Sequence, residues 1–206
     1  MENLETEVKF FMPDINQIRN RIVQIGAVFR QRSFEKNIRF EDSQNRLIKK
    51  QSLLRLRKDN KITLTFKSPP SHKEDRQFKV LKELEVQVSN FKIMNSILES
   101  IGFHKEQIYE KWREIFLLNN TEICLDNMPY GNFVEIEGHR DEIRKTARLI
   151  GLNWQERILL NYLSIFDIIR EKLNLSFNDV TFDNFKNVQV NILDYLHLLQ
   201  VEKQSK

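Results

Sequence analysis

The feature that most constrains this chain is a strand-like segment near its start, residues 4–10, whose two faces differ in character. Successive side chains of a strand point to opposite faces, so one face of this segment is mainly apolar. The other face carries Glu5, Glu7 and Lys9, with about 7 Å between neighbours at the usual strand rise. A row of ions along a strand is unusual, and the arrangement recurs through the chain.

Ions also alternate with apolar residues in later strand-like segments, as where Arg55 and Arg57 oppose Leu54 and Leu56. The acids on these polar faces are Glu5, Glu7, Glu83, Glu85, Asp126, Glu135 and Glu137. The bases are Lys9, Arg55, Arg57, Lys67, Lys111 and Arg113. One such strand is typical of a sheet with a solvent-exposed, ion-paired face. The repetition of ions at strand centres instead favours an enclosed interior.

Hydrophobic periodicity and turn residues predict eight strands. They are residues 4–10, 27–41, 52–58, 61–68, 77–89, 107–118, 121–127 and 132–138. Helical spacing of apolar residues predicts helices at residues 15–25, 91–101, 141–150, 157–173 and 187–201. Residues 41–51 are polar and predict a loop. The order of strand, helix and strands occurs twice, which indicates two similar halves.

Eight strands can close on themselves, which leaves no exposed edge. If helices cover an apolar outer surface, the ionic faces must line the inside. The predicted fold class is therefore α+β: a closed eight-stranded antiparallel β-barrel, or tunnel, with a charged interior and helices packed outside. We expect residues 1–155 to form this domain and residues 156–206 to form a helical extension packed on it.

The helical extension allows two interpretations. Its apolar residues either cap one end of the tunnel or form the contact of a homodimer. These residues are Leu159, Leu160, Leu163, Phe166, Ile169 and Leu173.

The ions indicate what such a tunnel would bind, because buried charge is costly unless something compensates it. Arg and Lys at several strand centres suit a compact polyanion, since Arg makes bidentate contacts to phosphate oxygens. Carboxylates suit a hard divalent cation, Mg²⁺ or Mn²⁺, that bridges to phosphate. Acids and bases in one cavity therefore indicate phosphoryl transfer on a small-molecule substrate.

Composition argues against several other classes. A net charge of +4, from 33 basic and 29 acidic residues, lacks the excess expected of a nucleic-acid-binding surface. The single Cys124 excludes an internal disulfide and predicts a buried thiol. We expect a cytoplasmic protein without membrane contact, because neither a charged leader nor a long apolar run is found. The four His residues are scattered without zinc-ligand spacing, and five Gly leave no glycine-rich phosphate loop.

These residues resemble the CYTH family, also called triphosphate tunnel metalloenzymes. Glu5-Thr6-Glu7-Val8-Lys9 is similar to the family's ExExK signature, a weak pattern that gains specificity from its position near the start. Similar motifs follow in order: Leu54-Arg55-Leu56-Arg57, Thr65-Phe66-Lys67, Glu83-Leu84-Glu85, Lys111-Trp112-Arg113 and Leu125-Asp126 with residues 130–137. The resemblance covers residues 1–155.

The resemblance implies a tunnel that binds a triphosphate with Mg²⁺ or Mn²⁺. The implied metal-side acids are Glu5, Glu7, Glu135 and Glu137, to which the polar faces add Glu83, Glu85 and Asp126. The implied triphosphate clamp is Lys9, Arg55, Arg57, Lys67 and Arg113, joined by Lys111. The expected catalytic residues are Glu5, Glu7, Lys9, Lys111 and Arg113.

The second strand departs from the family pattern. Many relatives carry Asp-x-Tyr near residues 37–42, where this chain has Asn37-Ile38-Arg39-Phe40. Arg39 would either add a further substrate-binding cation or point outward. The departure falls at the leaving-group end of the site, so the substrate stays open.

Three functions fit these residues. The leading hypothesis is a metal-dependent phosphohydrolase that cleaves inorganic triphosphate, thiamine triphosphate or a nucleoside triphosphate. A class IV adenylyl cyclase would use the same clamp, with the ribose 3′-hydroxyl attacking the α-phosphorus and pyrophosphate leaving. A non-catalytic polyphosphate or nucleotide sensor would keep the clamp, but it needs fewer acids than the polar faces carry.

Overall fold

A computed structural model describes residues 3–72 and 75–201. Its strands are β1 (Leu4–Phe11), β2 (Val28–Asp42), β3 (Leu53–Lys58), β4 (Ile62–Ser68), β5 (Lys79–Gln87), β6 (Phe103–Leu118), β7 (Thr121–Met128) and β8 (Gly131–Glu137). They form a closed barrel in the order β1-β5-β4-β3-β2-β6-β7-β8. Every neighbouring pair is antiparallel. The predicted fold class is confirmed.

Six α-helices lie in the described part of the chain. They are α1 (Ile15–Gln24), α2 (Arg46–Lys49), α3 (Phe91–Ser100), α4 (Arg140–Leu149), α5 (Tyr162–Leu173) and α6 (Leu196–Leu199). Single turns of 3₁₀ helix occur at Trp154–Glu156 and Ile192–Tyr195. Within residues 3–72 and 75–201, none of the helices has the length and apolar character needed to cross a bilayer.

The start of α1 shows how local sequence places a helix against the barrel. The Asp14 carboxylate accepts hydrogen bonds from the backbone N–H groups of Asn16 and Gln17, which lack partners inside the helix. One turn apart on the same face, Ile18 and Ile22 are buried against the barrel. Capping and apolar spacing therefore agree with the predicted position of this helix.

The hydrophobic core lies outside the barrel wall, between the strands and the helices. One cluster joins α1 and α4 to outward-facing residues such as Val8, Phe10 and Ile136. A second joins α3 to Leu56 and Phe40. Because side chains alternate along each strand, burying the apolar face outside leaves the ionic face inside. The expected charged interior is confirmed.

The prediction of a loop over residues 41–51 is wrong in one detail, because α2 lies within it. The Glu41 carboxylate accepts hydrogen bonds from the backbone N–H groups of Leu47 and Ile48. A side chain that satisfies these N–H groups stabilises a short helix that local sequence would not predict.

The first helix of the extension begins five residues later than predicted, at Tyr162. Ile158 instead pairs with Lys9, and their backbones exchange hydrogen bonds of 3.2 and 2.7 Å. The pairing between β5 and β1 covers only Leu4 to Glu7 of β1. Ile158 therefore occupies a position beside β1 beyond the end of β5, and a helix cannot form there.

The prediction of a helix over residues 187–201 is wrong. The segment holds only the 3₁₀ turn at Ile192–Tyr195 and the single turn of α6. Val188 and Val190 pack into the cluster around α5 as part of an irregular connection. Asn191 then accepts a hydrogen bond from the Leu193 N–H and begins a new turn. Apolar residues spaced for a helix can equally well pack irregularly against a neighbouring surface.

Three of the six apolar residues that could form either a cap or a dimer contact pack inside the chain. Leu163, Phe166 and Ile169 are buried within the chain, in a cluster that includes Tyr130 and Phe133 of the barrel region. The apolar face of α5 is therefore used to attach the extension to the barrel.

Candidate functional site

Two cavities occupy the inside of the barrel. The first, about 620 Å³, is here called the acidic chamber. The second, about 290 Å³, is called the basic chamber and lies where α2 and α5 approach the wall. Arg55 and Arg113 line both cavities. The lumen therefore has two chemically different ends that meet at two guanidinium groups.

Carboxylates outnumber cations in the acidic chamber. Its acids are Glu5, Glu35, Asp59, Glu83, Glu85, Glu122 and Glu137, and its cations are Arg55, Arg57, Lys61 and Arg113. In a partly buried space this excess of negative charge favours binding of a cation.

The pKa values of two acids reflect this excess. Burial and the nearby carboxylates of Glu5 and Glu122 together raise the pKa of Glu137 to about 8. Burial and the Glu7 carboxylate likewise raise the pKa of Glu5, although Lys67 opposes the shift. Glu137 therefore holds a proton near neutral pH when no cation is present.

Cations outnumber carboxylates in the basic chamber. Its cations are Lys9, Arg39, Arg55, Lys67, Lys79, Lys111 and Arg113, and its acids are Glu7, Glu135 and Asp167. This excess of positive charge in a narrow cavity favours a compact polyanion.

Lys9 lies at the centre of the basic chamber and is almost completely buried. Its Nζ lies 2.7 Å from Glu135 Oε2 and 3.3 Å from Glu7 Oε1. Burial lowers the pKa of Lys9, but the two carboxylates raise it more, so the pKa lies above its ordinary value. Burial and Glu135 raise the pKa of Glu7, yet Lys79 and Lys9 bring it down to about 2.

Asp126 anchors two of the predicted clamp cations. Its carboxylate accepts hydrogen bonds from Arg113 Nε at 2.7 Å and from Lys111 Nζ at 3.0 Å. The Tyr162 hydroxyl donates another, at 2.7 Å. The sequence predicts Asp126 as a metal ligand, but it is fully buried and lies outside the lining of both chambers. Its contacts favour a role in holding Arg113 and Lys111.

Arg55 and Arg57 are held less tightly. Arg55 donates to the Thr65 hydroxyl at 3.2 Å, and its nearest carboxylate oxygens, on Glu83 and Glu85, lie 3.9–4.0 Å away. Arg57 donates to Glu85 Oε2 at 3.4 Å. Long ion pairs of this kind leave both guanidinium groups able to exchange a carboxylate for a phosphate oxygen.

Lys67 completes the predicted clamp. Its ammonium donates to Glu5 and also lies 3.4 Å from Glu83 Oε1. The structure therefore brings every predicted clamp residue into the lumen. It also places Glu5, Glu83, Glu85 and Glu137 in the acidic chamber, whereas Glu7 and Glu135 lie among cations in the basic chamber.

The inner face of β2 holds residues that sequence reasoning missed or left open. Buried Glu35 lies 3.6 Å from Lys111 and 3.9 Å from Arg113. Burial raises the pKa of Glu35, but Lys111 and Arg113 lower it more, to about 2. Arg39 points inward, toward Glu41 at 3.2 Å. The strict alternation of Glu35, Asn37 and Arg39 along β2 was the signal that could have placed them together.

Asn37 lies between the two chambers on this face of β2 and is completely buried. Neither atom of its carboxamide has a hydrogen-bonding partner among the described residues. Such groups are rare in folded proteins and are commonly satisfied by water or ligand.

Sequence reasoning missed further lining residues, among them Lys79, Tyr109, Glu122 and Tyr162. Lys79 lies 2.6 Å from Glu7, and the Tyr109 hydroxyl accepts a 3.4 Å hydrogen bond from Arg55. Glu122 shares the acidic chamber with Glu137. Tyr162 reaches the lumen from α5, where its ring lies 4.5 Å from Lys9 Nζ. Lys79 and Glu122 precede apolar residues on their strands, Val80 and Ile123, but nothing local indicates Tyr109 or Tyr162.

Cys124 is a buried thiol, as predicted. Burial raises its pKa well above the ordinary value, and Arg113 opposes this only in part. A thiol that stays protonated is a poor nucleophile, so the site gains no covalent chemistry from it.

The acids of the site fit a divalent cation that is shared with a substrate. Within residues 3–72 and 75–201, no three Asp, Glu, His or Cys side chains converge closely enough to form a complete metal site. Mg²⁺ is commonly held by one or two carboxylates together with water and substrate phosphates. Glu5 and Glu137 supply carboxylate oxygens of this kind on the wall of the acidic chamber.

Comparison with known proteins gives a consistent family. A family model described as CYTH domain matches residues 3–173. A candidate adenylate cyclase of Methanocaldococcus jannaschii is 26% identical over 149 residues, which are 71% of this chain and 83% of that protein.

Solved structures share the fold. A candidate adenylate cyclase of Vibrio parahaemolyticus aligns with a TM-score of 0.72 and 19% identity, covering 81% of this chain and 99% of that one. A candidate adenylyl cyclase from Hippeastrum, described as having a dominant triphosphatase activity, aligns with a TM-score of 0.58 and 16% identity, covering 80% and 95%.

Proposed function

Because the chain belongs to the CYTH family, we propose that it is a divalent-metal-dependent phosphohydrolase that cleaves a triphosphate inside its barrel. The observation that carries this proposal is the meeting of the acidic and basic chambers at Arg55 and Arg113. A substrate that crosses this boundary would have its phosphates among cations and one end beside the carboxylates of the acidic chamber. Cleavage of a phosphoanhydride bond needs both environments.

The basic chamber would hold the phosphate chain. Lys9, Lys111 and Arg113 are fixed by carboxylates, so their charges are oriented before a substrate enters. Arg55 and Arg57 have longer ion pairs and would turn toward phosphate oxygens. Such preorganised cations stabilise the negative charge that develops during transfer without reorganising at that moment.

The acidic chamber would hold the divalent cation. Glu5 and Glu137 are the proposed carboxylate ligands, with Glu83 and Glu85 beside them on the chamber wall. A bound Mg²⁺ or Mn²⁺ would neutralise charge on the phosphoryl oxygens and orient water. Loss of the Glu137 proton would accompany cation binding, because a nearby positive charge lowers the pKa of a carboxyl group.

Asp126 is proposed as a positioning residue. Its carboxylate fixes Arg113 and Lys111 from behind, so phosphate would meet their remaining N–H groups in one orientation.

The Hippeastrum protein, similar in fold and described as having a dominant triphosphatase activity, supports hydrolysis as the first candidate.

An adenylyl cyclase is the second candidate, and one observation favours it. The basic chamber has apolar side chains at its α2 and α5 side, among them Ile48, Leu53, Leu81 and Leu163. A nucleoside could lie against such a surface. The names of the Methanocaldococcus and Vibrio proteins point in the same direction.

A substrate panel tests the proposal. The purified full chain is incubated with tripolyphosphate, thiamine triphosphate and ATP, with Mg²⁺ or Mn²⁺. Release of orthophosphate that requires the metal is expected. Cyclic AMP with pyrophosphate from ATP would establish the cyclase instead. Binding of all three compounds without turnover would contradict both enzymes.

A matched pair of variants locates the activity. Glu5→Gln should lower kcat by about 10²–10³-fold, as expected when a group that stabilises transition-state charge is removed. Glu142→Gln, on the exposed surface of α4, should leave the rate unchanged. Equal rates in both variants would place the chemistry outside the acidic chamber.

A further inference from the structure

The helix α3 is apolar on two sides. Its inner side packs Phe91, Met94 and Leu98 against the outer wall of the barrel. Its outer side exposes Ile93 and Ile97, with 59% and 45% of their surface accessible. Ile101, which follows the last turn of α3, is 65% exposed. Most helices on a protein surface are polar on the side away from the core, so an apolar outer side indicates a partner.

The outer side of α3 has the shape of a ridge beside a groove. Ile93, Ile97 and Ile101 are spaced four residues apart and form the ridge. The parallel row of Lys92, Ser96 and Ser100 is lower, because serine is small. Together these residues line a shallow cavity of about 350 Å³. The outer side of α3 therefore has an apolar edge and a polar edge.

We propose that α3 packs antiparallel against α3 of a second copy of this chain, so that the protein forms a two-fold symmetric homodimer. In such a dimer the same patch faces itself, and each surface must complement its own copy. The two-fold axis of an antiparallel pair brings each edge of α3 against the same edge of its copy, so the isoleucine ridges of the two copies meet each other. One helix thus provides both halves of the contact.

The charges beside this ridge are arranged for the same pairing. Lys92 and Glu99 lie seven residues apart, two turns along the same edge of α3. In an antiparallel pair with its two-fold axis between Asn95 and Ser96, Lys92 faces Glu99 of the partner subunit, and the contact occurs twice. A parallel pair would instead bring the edge that carries Lys92 and Glu99 against the isoleucine edge of the partner. Glu99 now pairs with exposed Lys105 at 3.1 Å, and that pair can rearrange at little cost.

The contact is large enough only if it extends beyond α3, since stable dimers bury about 1,200–2,000 Å² in total. Leu84 and Val86 on the outer face of β5 are 49% and 56% exposed. Val86 pairs with Leu64, which packs against the core beneath α3. The apolar surface therefore continues from the helix onto the sheet.

The proposed interface is separate from the lumen. α3 lies against the outer side of β3 and β6, whereas the chambers lie inside the barrel. Dimerisation thus does not depend on the proposed phosphohydrolase activity. A failure of either proposal leaves the other intact.

Sedimentation equilibrium of the full chain tests the dimer from about 1 to about 200 µM, a range suited to micromolar affinity. The wild-type mass should rise from one chain to two. Ile97→Lys should raise the dimer dissociation constant by about a hundredfold or more, because a charge would enter the centre of the contact twice. Leu149→Lys, at a similarly exposed residue of α4, should leave it unchanged.

Charge reversal distinguishes the antiparallel arrangement from other dimers. Lys92→Glu and Glu99→Lys should each weaken the dimer by about tenfold, because each places like charges in contact twice. The double variant should return to within about threefold of the wild type. Circular dichroism checks that each variant stays folded. A monomer at every concentration, a dimer insensitive to Ile97→Lys, or additive losses in the double variant would each overturn the proposal.

Discussion

The Tyr162 hydroxyl donates a 2.7 Å hydrogen bond to Asp126 Oδ2 inside the barrel, although Tyr162 begins the helix that follows the barrel domain. The same tyrosine ring lies 4.5 and 5.1 Å from the ammonium groups of Lys9 and Lys111. One side chain of the extension therefore contacts an acid and two cations of the site. The extension helps to order the basic chamber as well as covering it.

Tyr162→Phe should destabilise the protein by about 1.5–3 kcal/mol, because it removes a buried hydrogen bond to a charged acceptor. The ring and its contacts with both lysines would stay in place. Urea denaturation measures the change, and Tyr195→Phe in the half-buried C-terminal segment serves as the control. If Tyr162→Phe had no greater effect than Tyr195→Phe, the hydrogen bond would contribute nothing to stability.

Glu137 predicts a pH dependence of the metal-free protein. The pKa of this residue is about 8 in the folded protein against an ordinary value of 4.5. A raised pKa means that the folded state holds the proton more strongly, so its contribution to stability is complete below pH 4.5 and is lost as pH rises through 8. Glu137→Gln removes this loss.

In EDTA at pH 8, Glu137→Gln should therefore raise the thermal midpoint by about 5 °C, a shift typical of 1–2 kcal/mol in a chain of this size. At pH 4.5 the variant and the wild type should melt at similar temperatures. Glu156→Gln, on the exposed 3₁₀ turn after α4, controls for the loss of a surface charge. A lower midpoint for Glu137→Gln at pH 8 would mean that the carboxylate is stabilised, contrary to its acidic surroundings.

Much of the site was predictable because its strands alternate strictly. In the central parts of β1, β3 and β8, ions alternate with uncharged, mainly apolar residues, so a period of two assigns each residue to a face. Glu5, Arg57 and Glu137 were placed inside the barrel on that basis, and they line the acidic chamber. Closure into a barrel followed from the number of strands and the need to enclose these ions.

The rest depends on contacts between distant segments. The outer face of β2 carries Arg32 and Lys36 among its apolar residues, so the inward position of Glu35 and Arg39 was less evident than that of the ions on β1, β3 and β8. Tyr162 enters the lumen because Ile158 pairs with Lys9, and these residues lie far apart in sequence. The apolar residues of 187–201 were assigned to a helix, although their packing against α5 is irregular. Local patterns do not report such tertiary contacts.

Arg57→Ala should weaken binding of a triphosphate much more than binding of a monophosphate. Arg57 lies in the acidic chamber, where it donates hydrogen bonds to Thr63 and Glu85. Only a chain of several phosphates is long enough to contact Arg57 and the other clamp residues at the same time. A loss of about tenfold or more for tripolyphosphate, the value of one good charge-assisted contact, is expected by calorimetry. Arg32→Ala, on the outer face of β2 beside Trp112, is the control. Equal losses for orthophosphate and tripolyphosphate would remove Arg57 from the clamp.

Divalent cations should stabilise the protein through the acidic chamber even when no substrate is present. At pH 7.5, millimolar Mn²⁺ or Mg²⁺ would compete with the proton on Glu137 and reduce repulsion between Glu5 and Glu137, so the thermal midpoint should rise. Glu5→Gln and Glu137→Gln should each lose most of this rise, whereas Glu142→Gln should retain it. NaCl at the same ionic strength separates binding from general screening. If Mn²⁺ raised the midpoint equally in all four proteins, the cation would bind somewhere other than the acidic chamber.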